Sequence, residues 1–413
     1  MWLSLRRKGR ACLKWLLECQ SKSPKNPSFS GFYNYTFVES SQQHIHIRMI
    51  DLFLKLCSYL YLCGLKVHRG WYRYGLGKSS QLYLKEPNGS KRQVFTFAVG
   101  NYTWGGTGKT PFVIFLSRLL VSRGYQPVIL SRGYGYKDEA KMMIRQGVAS
   151  HVISGSNREE AFQNAFSSVV PCSSMVVILD DGLQHWRLNR QFNILMVNAA
   201  LAFGINGHLI PRGSLREPPC QAASRSTCIV LHHCNQVSNF QLQQLKTWFQ
   251  IHCPEKPILT SFMLARSLYC ISPQGKLDAC SLDAITNQYA VLCCGIEYPN
   301  GLLQTILKYC HPKQLHIESL VDHHWFVLQE LIEIVLKWNS FYASWNLIIT
   351  EKDYYRNEDV FHQLVQYRNV KRHVQVYIVK AELQIHSGIQ TFSKLLDKMG
   401  LSPIPSKSDV TFI

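Results

Sequence analysis

Apolar residues recur along this chain in two rhythms. Short unbroken runs, rich in β-branched and aromatic residues and closed by glycine or polar positions, occur at Val94–Val99, Val128–Leu130, Met175–Leu179, Cys228–Leu231, Ala290–Cys293, Leu347–Ile349 and Val374–Val379. Such runs predict buried strands. Between them the spacing turns helical, as in Phe112–Leu120 and Leu328–Lys337. Strands that alternate with helices and read as continuously apolar predict an α/β fold around parallel sheets. We expect two α/β/α sandwich domains, at residues 76–225 and at residues 226–413, the second being the smaller.

The stretch Ile50–Lys66 breaks both rhythms with IDLFLKLCSYLYLCGLK. As a helix it spans only ~25 Å at ~1.5 Å per residue, against a hydrocarbon core ~30 Å thick. It also carries Asp51 and Lys55. A membrane-associated helix over 50–75, lying in the interface with Lys66, Arg69, Trp71, Tyr72 and Arg73 near the headgroups, fits better than a span. A core helix of the first domain is the alternative. Residues 1–49 read as a targeting or linker extension. The first 17 residues are free of acid and mix Arg6, Arg7, Lys8, Arg10 and Lys14 with Trp and Leu. That pattern suits an organelle transit peptide as well as a solvated extension.

Charge sharpens this picture. Over 413 residues Lys+Arg exceed Asp+Glu by 19, and the first 92 residues hold 16 Lys/Arg against 4 Asp/Glu. The excess therefore surrounds the apolar stretch and favours an acidic partner such as an anionic membrane or a phosphorylated substrate. Zinc-finger, RNP-type and heptad patterns are missing, so nucleic acid is not expected as a partner. The 14 cysteines are scattered without any C-x-x-C pair, which reads as reduced thiols inside a cell. No obligate protein partner is evident.

The first strand runs into Gly100-Asn101-Tyr102-Thr103-Trp104-Gly105-Gly106-Thr107-Gly108-Lys109-Thr110-Pro111 and then a helical stretch. Strand, glycine loop, Gly-Lys-Thr, helix is the order of a phosphate-binding loop. Gly105, Gly106, Thr107 and Gly108 let backbone N–H groups curl around phosphate oxygens at a helix N-terminus. Lys109 would reach the β/γ-phosphates of ATP, and the Thr110 hydroxyl would ligate Mg²⁺. Such loops need a carboxylate at a neighbouring strand end. Met175–Leu179 leads straight into Asp180-Asp181-Gly182, so Asp180 or Asp181 is expected to hold Mg²⁺, a helix cap being the alternative. The first domain thus reads as a P-loop NTPase-type parallel sheet.

At these residues the sequence resembles the tetraacyldisaccharide 4′-kinase family, the lipid A kinases. The resemblance rests on Val99–Pro111, with threonine at the first loop position, and continues in order. It takes in Ser131-Arg132-Gly133-Tyr134-Gly135, Asp180-Asp181-Gly182-Leu183-Gln184-His185, and Phe203-Gly204 with Asn206-Gly207. Leu215-Arg216-Glu217-Pro218, Asp322-His323-His324 and Thr350-Glu351-Lys352-Asp353 complete it. It spans about residues 50–400. Ile205 adds one residue to the usual Phe-Gly-Asn-Gly, which suggests an altered acceptor-side loop.

The resemblance implies transfer of the ATP γ-phosphate to the 4′-hydroxyl of a tetraacylated glucosamine disaccharide 1-phosphate, with Mg²⁺, at a membrane surface. It implies that Asp138 pairs with His323 to accept the departing proton, although each residue alone reads equally as a surface group. Gln184, His185, Arg216 and Glu217 are expected to bind substrate, Glu217 being alternatively a structural partner of Arg216. Ser131 and Arg132 are expected either in the same cleft or in a plain turn. A membrane-associated ATPase of the partitioning type is the main rival. Trp104 stands where that class has its first loop lysine, and a GTPase is weakened by the missing guanine-reading asparagine before Lys352. An acid-poor start favours a mitochondrial, membrane-associated protein over the cytoplasmic face of a bacterial inner membrane.

Overall fold

The computed structural model describes residues 41–86, 89–132, 138–167, 174–367, 370 and 373–404, without the side chains of residues 41–48 and of Asp138. The predicted targeting segment at the amino end lies outside them. The described chain opens with α1 (Ser41–Arg73), a helix of 33 residues that starts earlier than the apolar run alone suggested. A small antiparallel pair follows, β1 (Tyr83–Lys85) and β2 (Lys91–Gln93).

Strands and helices then alternate as β3 (Phe95–Gly100), α2 (Lys109–Ser122), β4 (Gln126–Ser131), α3 (Asp138–Arg145), β5 (His151–Ser154), α4 (Arg158–Ala165), β6 (Met175–Asp180), β7 (Phe192–Asn198), α5 (Pro219–Ser224), β8 (Cys228–His232) and α6 (Asn239–His252). The second half adds β9 (Ile258–Ile271), β10 (Leu277–Cys280), β11 (Tyr289–Cys294), α7 (Pro299–Cys310), β12 (Gln314–Ser319), α8 (Leu328–Asn339), β13 (Trp345–Thr350), α9 (Glu351–Arg356), α10 (Glu358–Gln366), β14 (Val374–Ser387) and α11 (Ile389–Lys398). Each apolar run that predicted a strand lies on one.

Among the described residues twelve strands join in one sheet, ordered β12-β11-β13-β14-β9-β8-β7-β3-β6-β4-β5 with β10 on β9. The two stretches expected from the sequence as separate sandwich domains share this sheet. β8 pairs in parallel with β9, and β9 lies antiparallel along β14 over most of its length. The remaining pairs from β3 to β8 and from β11 to β14 are parallel. Strands buried on both faces read as nearly continuous apolar runs, and β6, β8 and β13 are buried at every position, with Asp180, His232 and Thr350 at their carboxyl ends and Asn346 within β13.

The carboxyl-terminal helix α11 returns to the first half. Its Phe392 packs on Phe112 of α2 and Phe192 of β7, and its Asp397 pairs with Arg123 at 2.7 Å.

The chain leaves β3 towards β4 and later returns past it to β7, so β3 sits at the point where the strand order reverses. Open α/β sheets bind ligands outside the carboxyl ends of the strands at such a point. The loops after β3 and β6 therefore meet there.

Candidate active site

A cavity of about 990 Å³ opens at these strand ends. Its walls include Trp104–Pro111, Asp180 at the end of β6 and Asp181 after it, Gln184, Arg216 and Glu217, and His323 and Lys352 from the second half. Ser131 and Arg132 line it as well. Of the residues expected there, His185 is not part of the lining. Burial, followed by Arg158 and three further arginines, pushes its imidazole down to about 4, so it is neutral.

Two glycines explain the shape of the phosphate loop. Gly108 has φ +76°, and a Cβ there would meet the ring of His232 at 2.4 Å. A Cβ on Gly106 would come within 2.9 Å of Tyr298 Cβ. The loop is thus wedged between β8 and the segment before α7, and only residues without side chains fit. Asn101 Nδ2 donates to Thr107 Oγ1 at 3.0 Å and Asn198 Nδ2 to the Gly106 carbonyl at 3.3 Å, which fixes it further.

The aspartate doublet divides into two different groups. Asp181 adopts φ +49° and faces two cations, Lys109 Nζ at 3.7 Å and Arg216 Nη1 at 3.2 Å. Burial works against its charge, but Lys109 and Arg216 outweigh burial and hold the carboxyl below its ordinary range. Asp180 is 5 % exposed, and its Oδ1 is buried without a hydrogen-bond partner. Burial, with Glu139 and Asp181 adding, pushes this carboxyl upward.

A buried carboxylate oxygen left without a donor suits a cation. Among the described residues no group of three or more His, Cys, Asp and Glu could form a metal cage by itself. Mg²⁺ needs no such cage, since it takes one or two carboxylates and completes its shell with substrate phosphates and water. Asp180 with the Thr110 hydroxyl in the first turn of α2 is a donor set of that kind.

The segment 202–218 reaches the site by running along the residues before the phosphate loop. Trp104 N donates to Ser214 O at 2.6 Å and Arg216 N to Tyr102 O at 2.8 Å. The Arg216 guanidinium then lies 5.7 Å over the Trp104 ring. Gln184 Nε2 bonds the Asn101 carbonyl at 3.0 Å and Glu217 Oε1 at 2.8 Å. Glu217 is fully buried. Its ion pairs are with Arg69 of α1 and, at 2.5 Å, with Arg225, so it is a structural partner of those two arginines and not of Arg216.

Across the cavity His323 sits at φ +61°, its N–H bonded to the Gly295 carbonyl at 3.1 Å. Lys352 Nζ lies 3.3 Å from its Nε2 and Arg356 Nη2 3.2 Å from its Nδ1. Lys352 also reaches Glu139 Oε1 at 3.1 Å. Asp138 begins α3 beside Glu139, and its side chain is outside the described residues. The first turn of α3 and the Asp322-His323 loop are therefore bridged by one lysine.

Sequence patterns did not reveal Arg69, Glu297, Tyr298 or His232 as site residues, because each arrives from a distant segment without a motif of its own. Glu351 was visible only as part of Thr350-Glu351-Lys352-Asp353. It lines the cavity and accepts from Gln146 Nε2 at 3.3 Å. Burial raises its carboxyl to about 7, partly opposed by Lys380. A folded value above the unfolded one favours the fold at low pH, and that advantage is lost as pH rises from about 4.5 through about 7. Glu351→Gln keeps the accepting oxygen and removes the charge. We expect it to raise the melting temperature by a few degrees at pH 8, from up to about 3 kcal/mol, and to leave it unchanged at pH 4. Thermal unfolding at the two pH values checks this, and equal shifts at both would contradict it.

The profile of the family described as LpxK, tetraacyldisaccharide-1-P 4′-kinase, matches residues 50–400. A relative from Arabidopsis thaliana, named a probable mitochondrial tetraacyldisaccharide 4′-kinase, is 29% identical over 392 residues, covering 86% of this chain and 92% of that protein. A tetraacyldisaccharide 4′-kinase of Syntrophus aciditrophicus is 36% identical over 201 residues, 43% of this chain and 50% of its own length. Among solved structures, LpxK from Aquifex aeolicus in complex with ATP shares the fold, with TM-score 0.55 and 23% identity over 85% of this chain and 99% of that one. The chain belongs to the tetraacyldisaccharide-1-P 4′-kinase family.

Proposed function

We propose that this protein transfers the γ-phosphate of ATP to the 4′-hydroxyl of a tetraacylated glucosamine disaccharide 1-phosphate, with Mg²⁺, at an anionic membrane surface. The observation that carries this reading is the meeting of Lys109, Asp180, Asp181 and Arg216 at one wall of a cavity whose other wall holds His323 and Lys352. Phosphoryl transfer calls for positioning and charge neutralisation more than for covalent chemistry. Lys109 and Arg216 neutralise the phosphate oxygens from two sides. Asp180 and the Thr110 hydroxyl would hold Mg²⁺, which would supply further neutralisation of phosphate charge when bound. Gln184 keeps the root of the phosphate loop and the Arg216 segment in register.

His323, oriented by Asp138, takes the proton from the attacking hydroxyl. The approach of Glu139, Lys352 and His323 to one another supports that pairing. His323→Ala and Asp138→Ala are each expected to lower kcat by about 10²-fold or more while ATP binding survives. The double variant should lose little beyond the worse single one, since residues acting as one unit are non-additive. Steady-state kinetics over pH 5–9 checks this, because the acidic limb should vanish without Asp138. Strictly additive losses would place the base elsewhere.

Among the described residues no helix is long and apolar enough to cross a membrane. α1 exposes Ile50, Leu52, Phe53, Leu56, Tyr59 and Leu60, a face suited to lying in a lipid surface. The acid-poor amino-terminal stretch and a relative named mitochondrial support a mitochondrial, membrane-associated location. Transfer of label from [γ-³²P]ATP to the disaccharide acceptor in mixed micelles tests the reading directly. Mg²⁺-dependent ATP hydrolysis without labelled lipid would favour the partitioning-type ATPase instead.

A further inference from the structure

The face of α1 opposite its exposed apolar residues is bonded along its length to the segment that carries Arg216. Asp51 pairs with Arg212 at 2.8 Å. Ser58 Oγ donates to the Leu209 carbonyl at 2.9 Å and accepts from Arg212 N at 3.2 Å. The Tyr61 hydroxyl donates to the Arg216 carbonyl at 2.7 Å, and Arg69 donates to both Glu217 and Gln221. These positions fall on one stripe of a 3.6-residue helix. A helix that served only as an anchor would need none of these long-range contacts, and Tyr61, Leu65, His68 and Arg69 also line the cavity.

Two of the contacts bear directly on groups that face the phosphates. Arg216 is fixed by its main chain on both sides, its N–H on Tyr102 and its carbonyl on Tyr61. Its guanidinium is thereby aimed at Asp181, the carboxylate that Lys109 also faces. Burial, with Glu217 adding, raises the Tyr61 phenol, so the hydroxyl stays a donor. Arg69 shares the buried Glu217 carboxylate with Arg225 and with the Gln184 amide. That amide also holds the Asn101 carbonyl at the root of the phosphate loop. One buried anion thus joins α1, the Arg216 loop and the turn after β6.

We propose that Tyr61 and Arg69 are positioning residues for phosphoryl transfer: from α1 they set the frame in which Arg216 and Gln184 face the transferring phosphate. This goes beyond a docking role for α1 and rests on the kinase reading above.

The test uses the full chain and an acceptor that needs no membrane, a water-soluble disaccharide 1-phosphate with short acyl chains, assayed without vesicles or detergent. Wild-type transfer to it tests the kinase reading by itself, and the ratio of variant to wild type tests the proposal. Tyr61→Phe is expected to lower kcat about three- to tenfold, the worth of one hydrogen bond, with the KM for ATP unchanged. Arg69→Gln should lower it further, and Arg69→Lys should recover part, since it restores the charge without the two-pronged donor. Combining Tyr61→Phe with Arg216→Lys should cost no more than Arg216→Lys alone, because Tyr61 acts through Arg216. Wild-type kcat in Tyr61→Phe on the soluble acceptor, with loss confined to long-chain acceptor in vesicles, would overturn the proposal. So would additive losses in the double variant. Should Arg69→Gln fail to fold, Tyr61→Phe, which removes one oxygen, decides alone.

Discussion

Lys109→Ala is expected to lower phosphoryl transfer by about 10²- to 10³-fold while the protein still folds. The ammonium is the cation that the phosphate loop itself supplies, and removing one preorganised charge stabiliser of a transition state costs about 3–4 kcal/mol. Folding survives because the partner left behind is not stranded. Asp181 retains Arg216 at 3.2 Å after Lys109 is gone. The loop is also held independently by Asn101 and Asn198. Single-turnover transfer alongside thermal unfolding checks both halves of the expectation. Turnover within a fewfold of wild type would refute the assignment of the loop, and an unfolded variant would show that the lysine is structural.

The second large effect separates the two aspartates. Asp180→Asn is expected to reduce kcat at least about 10²-fold and to move the Mg²⁺ activation midpoint upward by about tenfold or more. Asp181→Asn should lower kcat with little change in that midpoint. The difference follows from their partners. Asp181 is committed to Lys109 and Arg216, whereas Asp180 keeps a buried oxygen without a donor. A full Mg²⁺ titration of both variants at saturating ATP decides. Equal shifts in the two midpoints would mean that the metal bridges the pair, and no shift in either would reduce the doublet to an electrostatic and structural role.

The legible parts of this protein were those whose physics is local. Val94–Val99 and Met175–Leu179 announce themselves as strands because both faces are covered, so no charged residue interrupts them and Thr96 alone is polar. The phosphate loop is legible because glycine, lysine and threonine must be contiguous to wrap a phosphate. β7 is less legible because Asn193 interrupts the apolar run of Phe192–Asn198. The length of β9 was hidden for another reason. Ile258–Ile271 crosses the seam between the halves and alternates between buried and half-exposed positions, so it lacks the clean period of either a central or an edge strand. The ion pair of Arg69 with Glu217 spans 148 residues, and no local pattern encodes a partner that distant. Helix α1 was read from its apolar face alone, since its polar stripe acquires meaning only once the Arg216 segment lies beside it.

The return of α11 to the first half has a consequence for how the chain is made. Synthesis delivers β3, α2 and β7 long before Phe392, which covers Phe112 and Phe192. Until then the earliest-made core is open to solvent, and β8 waits for β9 beside it. The nascent chain must therefore remain in a partly built state until α11 has been made, a situation that favours chaperone engagement and penalises premature termination. A stop codon shortly before residue 389 would remove little of the cavity wall, yet it would strip the apolar cover from the phosphate-loop helix. Such a truncation is expected to be cleared by proteolysis, not to persist as a weakened enzyme.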